Sequence, residues 1–226
     1  MRKLTEFQKA IESGDVAQVV AFVEEDPQLL EARVSRNLRP VLLAAYYRQP
    51  AVVEALLARG ACVDACLCAV LGRAQQLREI VAADPSALTT HSPDGWTLLH
   101  LAARFDQVAA AEVLLDLGAD LHDASNDKGM APIHQAWSWE MIVLLLSRGA
   151  DINARTIYGL TLLHSHATHA SGEWIRFLLD RGADPHAKTK ANQTPWAIAV
   201  EQGNRKAADI LFRGAQGEDS GPVAGP

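Results

Sequence analysis

One block of residues, DGWTLLHLAARFDQVAAAEVLLDLGADLHDA from Asp94 to Ala124, recurs along the chain in altered spellings. The place of His100 is taken in turn by Leu42, Cys66, His100, His134, His164 and Ala197, at successive intervals of 24, 34, 34, 30 and 33 residues. From Leu42, His100 and His164 to the glycine that closes each copy (Gly60, Gly118, Gly182) the distance is 18 residues every time. A fixed internal length with variable connections describes stacked helical hairpins joined by adjustable loops. Such a unit cannot bury its apolar side alone, so the core must form between neighbours. Function is then expected on a surface shared between repeats rather than in a pocket.

Each copy also has a local reading. Thr97 and Thr161 stand where a first helix begins, and a hydroxyl there satisfies helix-start N–H groups. His100 and His164 follow three residues later and can reach back to that threonine, a variant of the capping box. Leucine and paired alanines then give a face small enough for close stacking. Apolar residues at helical spacing mark the second helix, as in Val113, Leu114 and Leu117 or Val143, Leu144 and Leu146. Gly118, Gly149 and Gly182 follow as left-handed stops.

These motifs, TLLHLAA (Thr97–Ala103), APIHQAW (Ala131–Trp137), TLLHSHA (Thr161–Ala167) and TPWAIAV (Thr194–Val200), resemble the ankyrin repeat, whose period is about 33 and whose first helix opens T-P-L-H-x-A. The resemblance runs from Leu4 to Gly214. It implies an all-α ankyrin-repeat solenoid of about seven helix-turn-helix units with short β-turn fingers. The units fall near 1–34 (an amino-terminal cap), 35–63, 64–91 (degenerate), 92–124, 125–154, 155–187 and 188–214 (a carboxy-terminal cap), forming a single domain 1–214. Residues 215–226, rich in Gly and Pro, read as a flexible tail. Two copies depart from the pattern. The third has its preceding finger cut by about nine residues against the usual period, and Asp84-Pro85 replaces its glycine stop. The fifth loses three residues between its helices, at Trp137-Ser138-Trp139.

Composition narrows the function. A net charge of −6 and a pI near 5.7 argue against nucleic acid as partner. No apolar run approaches the ~18 residues of a membrane span, and Glu6, Gln8, Lys9 and Glu12 stand where a signal peptide would be apolar. The three crowded cysteines, Cys62, Cys66 and Cys68, do not describe a disulfide framework, which favours a reducing cytoplasm. Cys66 and Cys68 read as buried packing, leaving Cys62 as the reactive candidate. No nucleophile elbow, phosphate loop or zinc-protease motif is spelled out, so no cofactor and no catalysis are expected. Alanine- and arginine-rich repeats suggest a high-GC bacterial source.

The informative residues are those that the repeat does not need. By the resemblance, the turn before each first helix and that helix's last exposed positions line a concave face. This assigns a protein-binding role to Tyr46, Tyr47, Asp94, Trp96, Arg104, Phe105, Lys128, Met130, Trp139, Ile157, Tyr158, Leu160 and His169, with Asp127, Thr168, Lys190, Gln193, Glu201 and Gln202 beside them. Six of the 13 aromatic residues fall in this set, and Trp, Tyr and Arg dominate binding hot spots. Trp137 is expected to pack into the stack instead. The leading reading is a monomeric, non-enzymatic protein-binding module for another protein. An inhibitor or immunity-type protein for a co-encoded enzyme is one alternative. A histidine metal site at His166 and His169, three apart on a helix, is the other.

Overall fold

The computed structural model describes residues 2–124 and 126–217, and these form two compact units that divide between Asp120 and Leu121. The first holds four helical hairpins: α1 (Arg2–Ser13) with α2 (Val16–Glu25), α3 (Pro40–Tyr46) with α4 (Pro50–Leu57), α5 (Ala65–Leu71) with α6 (Ala74–Ala83), and α7 (Leu98–Arg104) with α8 (Val108–Asp116). The second holds three: a 3-10 turn (Pro132–Gln135) with α9 (Trp139–Ser147), α10 (Leu162–Ala167) with α11 (Gly172–Asp180), and α12 (Pro195–Glu201) with α13 (Arg205–Ala215). The thirteen helices carry no named strand among the described residues, and a lone bridge pairs His91 with Thr97. The tail was expected from residue 215, but α13 takes in Ala215, and residues 218–226 of that tail lie outside the described residues.

First helices stack on first helices (α1 on α3, α3 on α5, α5 on α7, α10 on α12), and second helices do the same (α2 on α4, α6 on α8, α11 on α13). The stacking positions predicted from the repeat are buried: Leu98, Leu99, Leu101, Ala102 and Ala103 in α7, and Leu162, Leu163 and Ala167 in α10. Burying a leucine of this kind contributes about 1.5–3 kcal/mol, and the alanines let neighbouring backbones approach closely.

Histidine closes the helix starts as anticipated. The Thr97 hydroxyl accepts from the His100 N–H at 3.3 Å and meets His100 Nδ1 at 2.7 Å. In α10, His164 Nδ1 accepts from the Thr161 N–H at 3.1 Å, which places the ring proton on Nε2, and Nε2 donates to the Gln193 carbonyl at 3.2 Å. His134 repeats this arrangement, accepting from Ala131 N–H at 3.0 Å and donating to the Ala154 carbonyl at 2.9 Å. The His134 and His164 rings thus fasten their own helix starts to the chain that leads into the following first helix.

The third repeat shifts by one place. Asp64 is the residue that caps its first helix, accepting from Leu67 N–H at 2.8 Å, so Leu67 rather than Cys66 occupies the histidine position. The intervals there become 25 and 33, and the finger is short by about eight residues, not nine. The short connection is held by charge. Arg39, itself buried, stands where other units have threonine; it pairs with Asp64 and with Glu31 at 3.4 Å, and Glu31 accepts the Cys62 N–H at 3.2 Å. At the missing glycine stop, Asp84 ends α6 and caps a 3-10 turn (Pro85–Thr89) by accepting from Ser86 N–H. Asp26-Pro27 does the same after α2. Cys66 and Cys68 are buried, with burial pushing their thiols up to about 12 and about 11, while Cys62 is exposed.

In the fifth repeat the three-residue deletion reduces the first helix to the four-residue 3-10 turn. Its amides should exchange with deuterium at least about tenfold faster than those of α7, because one short turn opens locally at low cost; hydrogen-exchange mass spectrometry over 132–137 and 98–104 checks this. A second expectation concerns pH. Burial holds the His164 and His166 imidazoles below their ordinary value. The unfolded chain therefore binds protons more readily than the folded one. The stability these rings contribute is complete above pH about 6.5 and is lost as pH falls below it toward the folded-state value. Thermal unfolding followed from pH 8 to pH 5 should show this decline, and His166→Phe should flatten it.

Candidate functional site

The fingers are built from a recurring turn. Five residues before each helix cap stands a short polar side chain: Ser92, Asn126, Thr156 or Thr189. Each accepts backbone N–H groups across the turn. Ser92 takes that of Trp96 at 3.1 Å, Asn126 those of Lys128 and Met130, Thr156 those of Tyr158 and Leu160, and Thr189 that of Gln193. Two residues before the cap the chain turns left-handed, at Gly95, Gly129, Gly159 and Asn192, a conformation that glycine and asparagine adopt at low cost. This polar-x-x-Gly spacing was present in the sequence and is the signal that the repeat reading passed over.

In the first unit, Tyr46, Asp94, Trp96 and Phe105 join one contact network. Tyr46 reaches from the end of α3 to the turn before α7, donating its hydroxyl to Asp94 Oδ1 at 3.2 Å and meeting the Phe105 ring at 5.1 Å. Ser92 donates to the same Asp94 oxygen at 2.7 Å. Asp94 Oδ2 is buried with no hydrogen-bond partner among the described residues. Burial, and then the charge of Asp94, raise the Tyr46 phenol above its ordinary value, so Tyr46 remains a donor. Trp96 packs on His100 at 5.4 Å and is half-buried. Tyr47 is 48% exposed, and Arg104 is exposed at the end of α7.

In the second unit the fingers are bonded to one another. The Ile157 N–H donates to the Lys128 carbonyl at 3.0 Å, and the Lys190 N–H to the Tyr158 carbonyl at 2.9 Å. Ile157 and Tyr158 stand side by side at 45% and 57% exposure, with Lys128 exposed and Met130 and Leu160 half-buried. Trp139 is placed elsewhere, while His169 lies just past the end of a first helix, at the position Phe105 and Tyr47 hold in their repeats. Trp139 opens α9, a second helix, and stacks on Trp174 of α11 at 4.2 Å; exposed His169 follows α10, in the turn toward α11. Trp137 departs from the packing expectation too, being 58% exposed although its ring stacks on His166 at 5.0 Å. The two histidines of the metal alternative differ in setting. His166 is buried, its Nδ1–H donating to the Leu162 carbonyl at 3.1 Å, whereas His169 is exposed, and no cluster of three metal-ligating side chains occurs among the described residues.

The clefts of the first unit lie away from the finger turns, and one of them borders Phe105. One of 340 Å³ is lined by Ala45, Val53, Val70, Leu71 and Phe105 with Arg48 and Gln107. Another, of 300 Å³, holds Asp64, Asp84 and Cys66, whose thiol is far from ionising at neutral pH. Among the described residues no helix is long and apolar enough to cross a membrane.

A family model described as "Ankyrin repeats (3 copies)" matches residues 65–156 and 138–220. Among curated proteins, the chain is 30% identical over 213 residues to the B-cell lymphoma 3 protein homolog of Mus musculus, covering 87% of this chain and 47% of that protein. It is 30% identical over 143 residues to the probable 26S proteasome regulatory subunit p28 of Saccharomyces cerevisiae (60% of this chain, 63% of that protein). It is 29% identical over 160 residues to the human SH3 and multiple ankyrin repeat domains protein 2 (55% of this chain, 9% of that protein). The chain thus spans less than two thirds of each of these relatives. With matched repeats covering more than half its length, on stacked hairpins with capped helix starts and turned fingers, the chain belongs to the ankyrin-repeat family.

Proposed function

We propose that this protein is a non-enzymatic binding module for another protein, and that it makes contact through its fingers and the ends of its first helices. Ankyrin repeats as a class mediate protein–protein interaction, and of the relatives named above one is a probable regulatory subunit of the 26S proteasome and another carries SH3 and multiple ankyrin repeat domains. The observation that carries the proposal is the Ile157–Tyr158 pair, two apolar side chains about half exposed at the tip of one finger. That finger is fixed by the Thr156 hydroxyl and by backbone bonds to the fingers on either side. Apolar groups presented on a pre-organised turn bind without the ordering cost of a loose loop. Lys128 and Met130 on the preceding finger extend the same contact surface, as does Leu160. In the first unit, Tyr46, Tyr47, Asp94, Trp96, Arg104 and Phe105 would supply a second set, with the half-satisfied Asp94 carboxylate setting orientation.

The test is affinity capture from the native cell with the full chain and an Ile157→Ala/Tyr158→Ala double variant. Both side chains face solvent, so thermal unfolding should not change. Affinity for the captured partner should fall by about tenfold or more, as for hot-spot residues. A double variant that keeps every partner at wild-type affinity removes this surface from consideration.

A further inference from the structure

The second unit carries an aromatic cluster that the fingers do not use. The indole of Trp137 stacks on His166 (5.0 Å, 29° between planes), and His166 lies 5.2 Å from Trp174. Trp174 stacks on Trp139 (4.2 Å, 15°), and Trp139 meets the edge of Phe177 at 4.0 Å. At the far end the Arg181 guanidinium sits 3.9 Å from the centre of the Phe177 ring. The cluster includes three of the chain's five tryptophans. Trp137 is 58% exposed, and Trp139 and Trp174 are half-buried.

Two exposed carboxylates stand next to cluster tryptophans in sequence, Glu140 after Trp139 and Glu173 before Trp174, and one cation, Arg181, sits at the Phe177 end. Aromatic faces attract cations, and Arg181 already occupies one. Glu140 and Glu173 hold the same register position, second in α9 and second in α11, and both are exposed. His166 adds a third feature. Because Nδ1–H donates to Leu162, Nε2 on the opposite side of the ring is a bare lone pair, and it is buried with no partner among the described residues. A buried acceptor left without a donor is destabilising. The partly exposed indole rings and the exposed carboxylates favour a ligand that is cationic and flat. A guanidinium meets this description best, since it stacks as a plane and donates from its rim.

We propose that the Trp137–His166–Trp174 edge, flanked by Glu140 and Glu173, is a docking site for an arginine side chain in a basic segment of a partner protein. It stands on residues separate from the finger surface, so either can fail without the other.

The test uses the full chain labelled with ¹⁵N, reading the indole N–H signals while adding acetyl-triarginine amide or its citrulline counterpart, which keeps the shape and loses the charge. The arginine peptide should shift the Trp137 and Trp174 signals and leave that of Trp196, on α12, in place. The citrulline peptide should bind about fivefold more weakly or worse, from the loss of cation–π attraction. Glu140→Gln/Glu173→Gln should weaken arginine binding severalfold at low salt with unchanged thermal unfolding, whatever Trp137→Ala does to folding. Signals that stay still, that respond equally to citrulline, or that move no more than Trp196 overturn the proposal. So does an unaltered affinity in the double glutamine variant.

Discussion

A neutral imidazole joins each of two hairpins of the second unit to the next. His164 can accept from its own helix start through Nδ1 and donate to Gln193 through Nε2 only as the singly protonated Nε2–H form, and the same holds for His134 and Ala154. Protonation would turn the Nδ1 acceptor into a donor facing the Thr161 N–H. Burial keeps the His164 ring neutral, and the neutral ring keeps the hairpins in register. Where a unit has no histidine the task passes to other chemistry. Leu42 follows the buried Arg39, whose pairing with Asp64 and Glu31 takes over the connection to the following repeat.

Much of this was legible because stacking imposes a period. Thr97, His100, Leu99, Ala103 and Gly118 each have a spacing that only a capped, close-packed hairpin satisfies, and the structure places them accordingly. The one-place shift at Cys66 falls where that logic is disguised: aspartate caps a helix as threonine does, and Asp64 stands where the fourth and sixth copies have threonine. Trp139 was misplaced for a related reason. With three residues missing, counting from His134 carries the first helix too far, and the second helix begins one residue after Trp137-Ser138. The Tyr46–Asp94 contact joins residues 48 apart through a side chain reaching from one repeat to a turn two repeats on, and no periodicity encodes that.

The fifth repeat shows how damage to a period creates surface. A first helix cut to one 3-10 turn keeps the buried Ala136, but a broad side chain, Trp137, stands where the fourth copy has Ala103. Trp137 stacks on His166, which meets Trp174, and Trp174 stacks on Trp139. Rings at the edge of a hairpin cannot all be buried, so part of this cluster faces solvent. An indole exposed on one side and held by a stack on the other is already ordered before any ligand arrives, and ordering is a main cost of binding. These rings are therefore well prepared to recognise a partner, and a deletion in a repeat array can shape a binding edge without any change of fold.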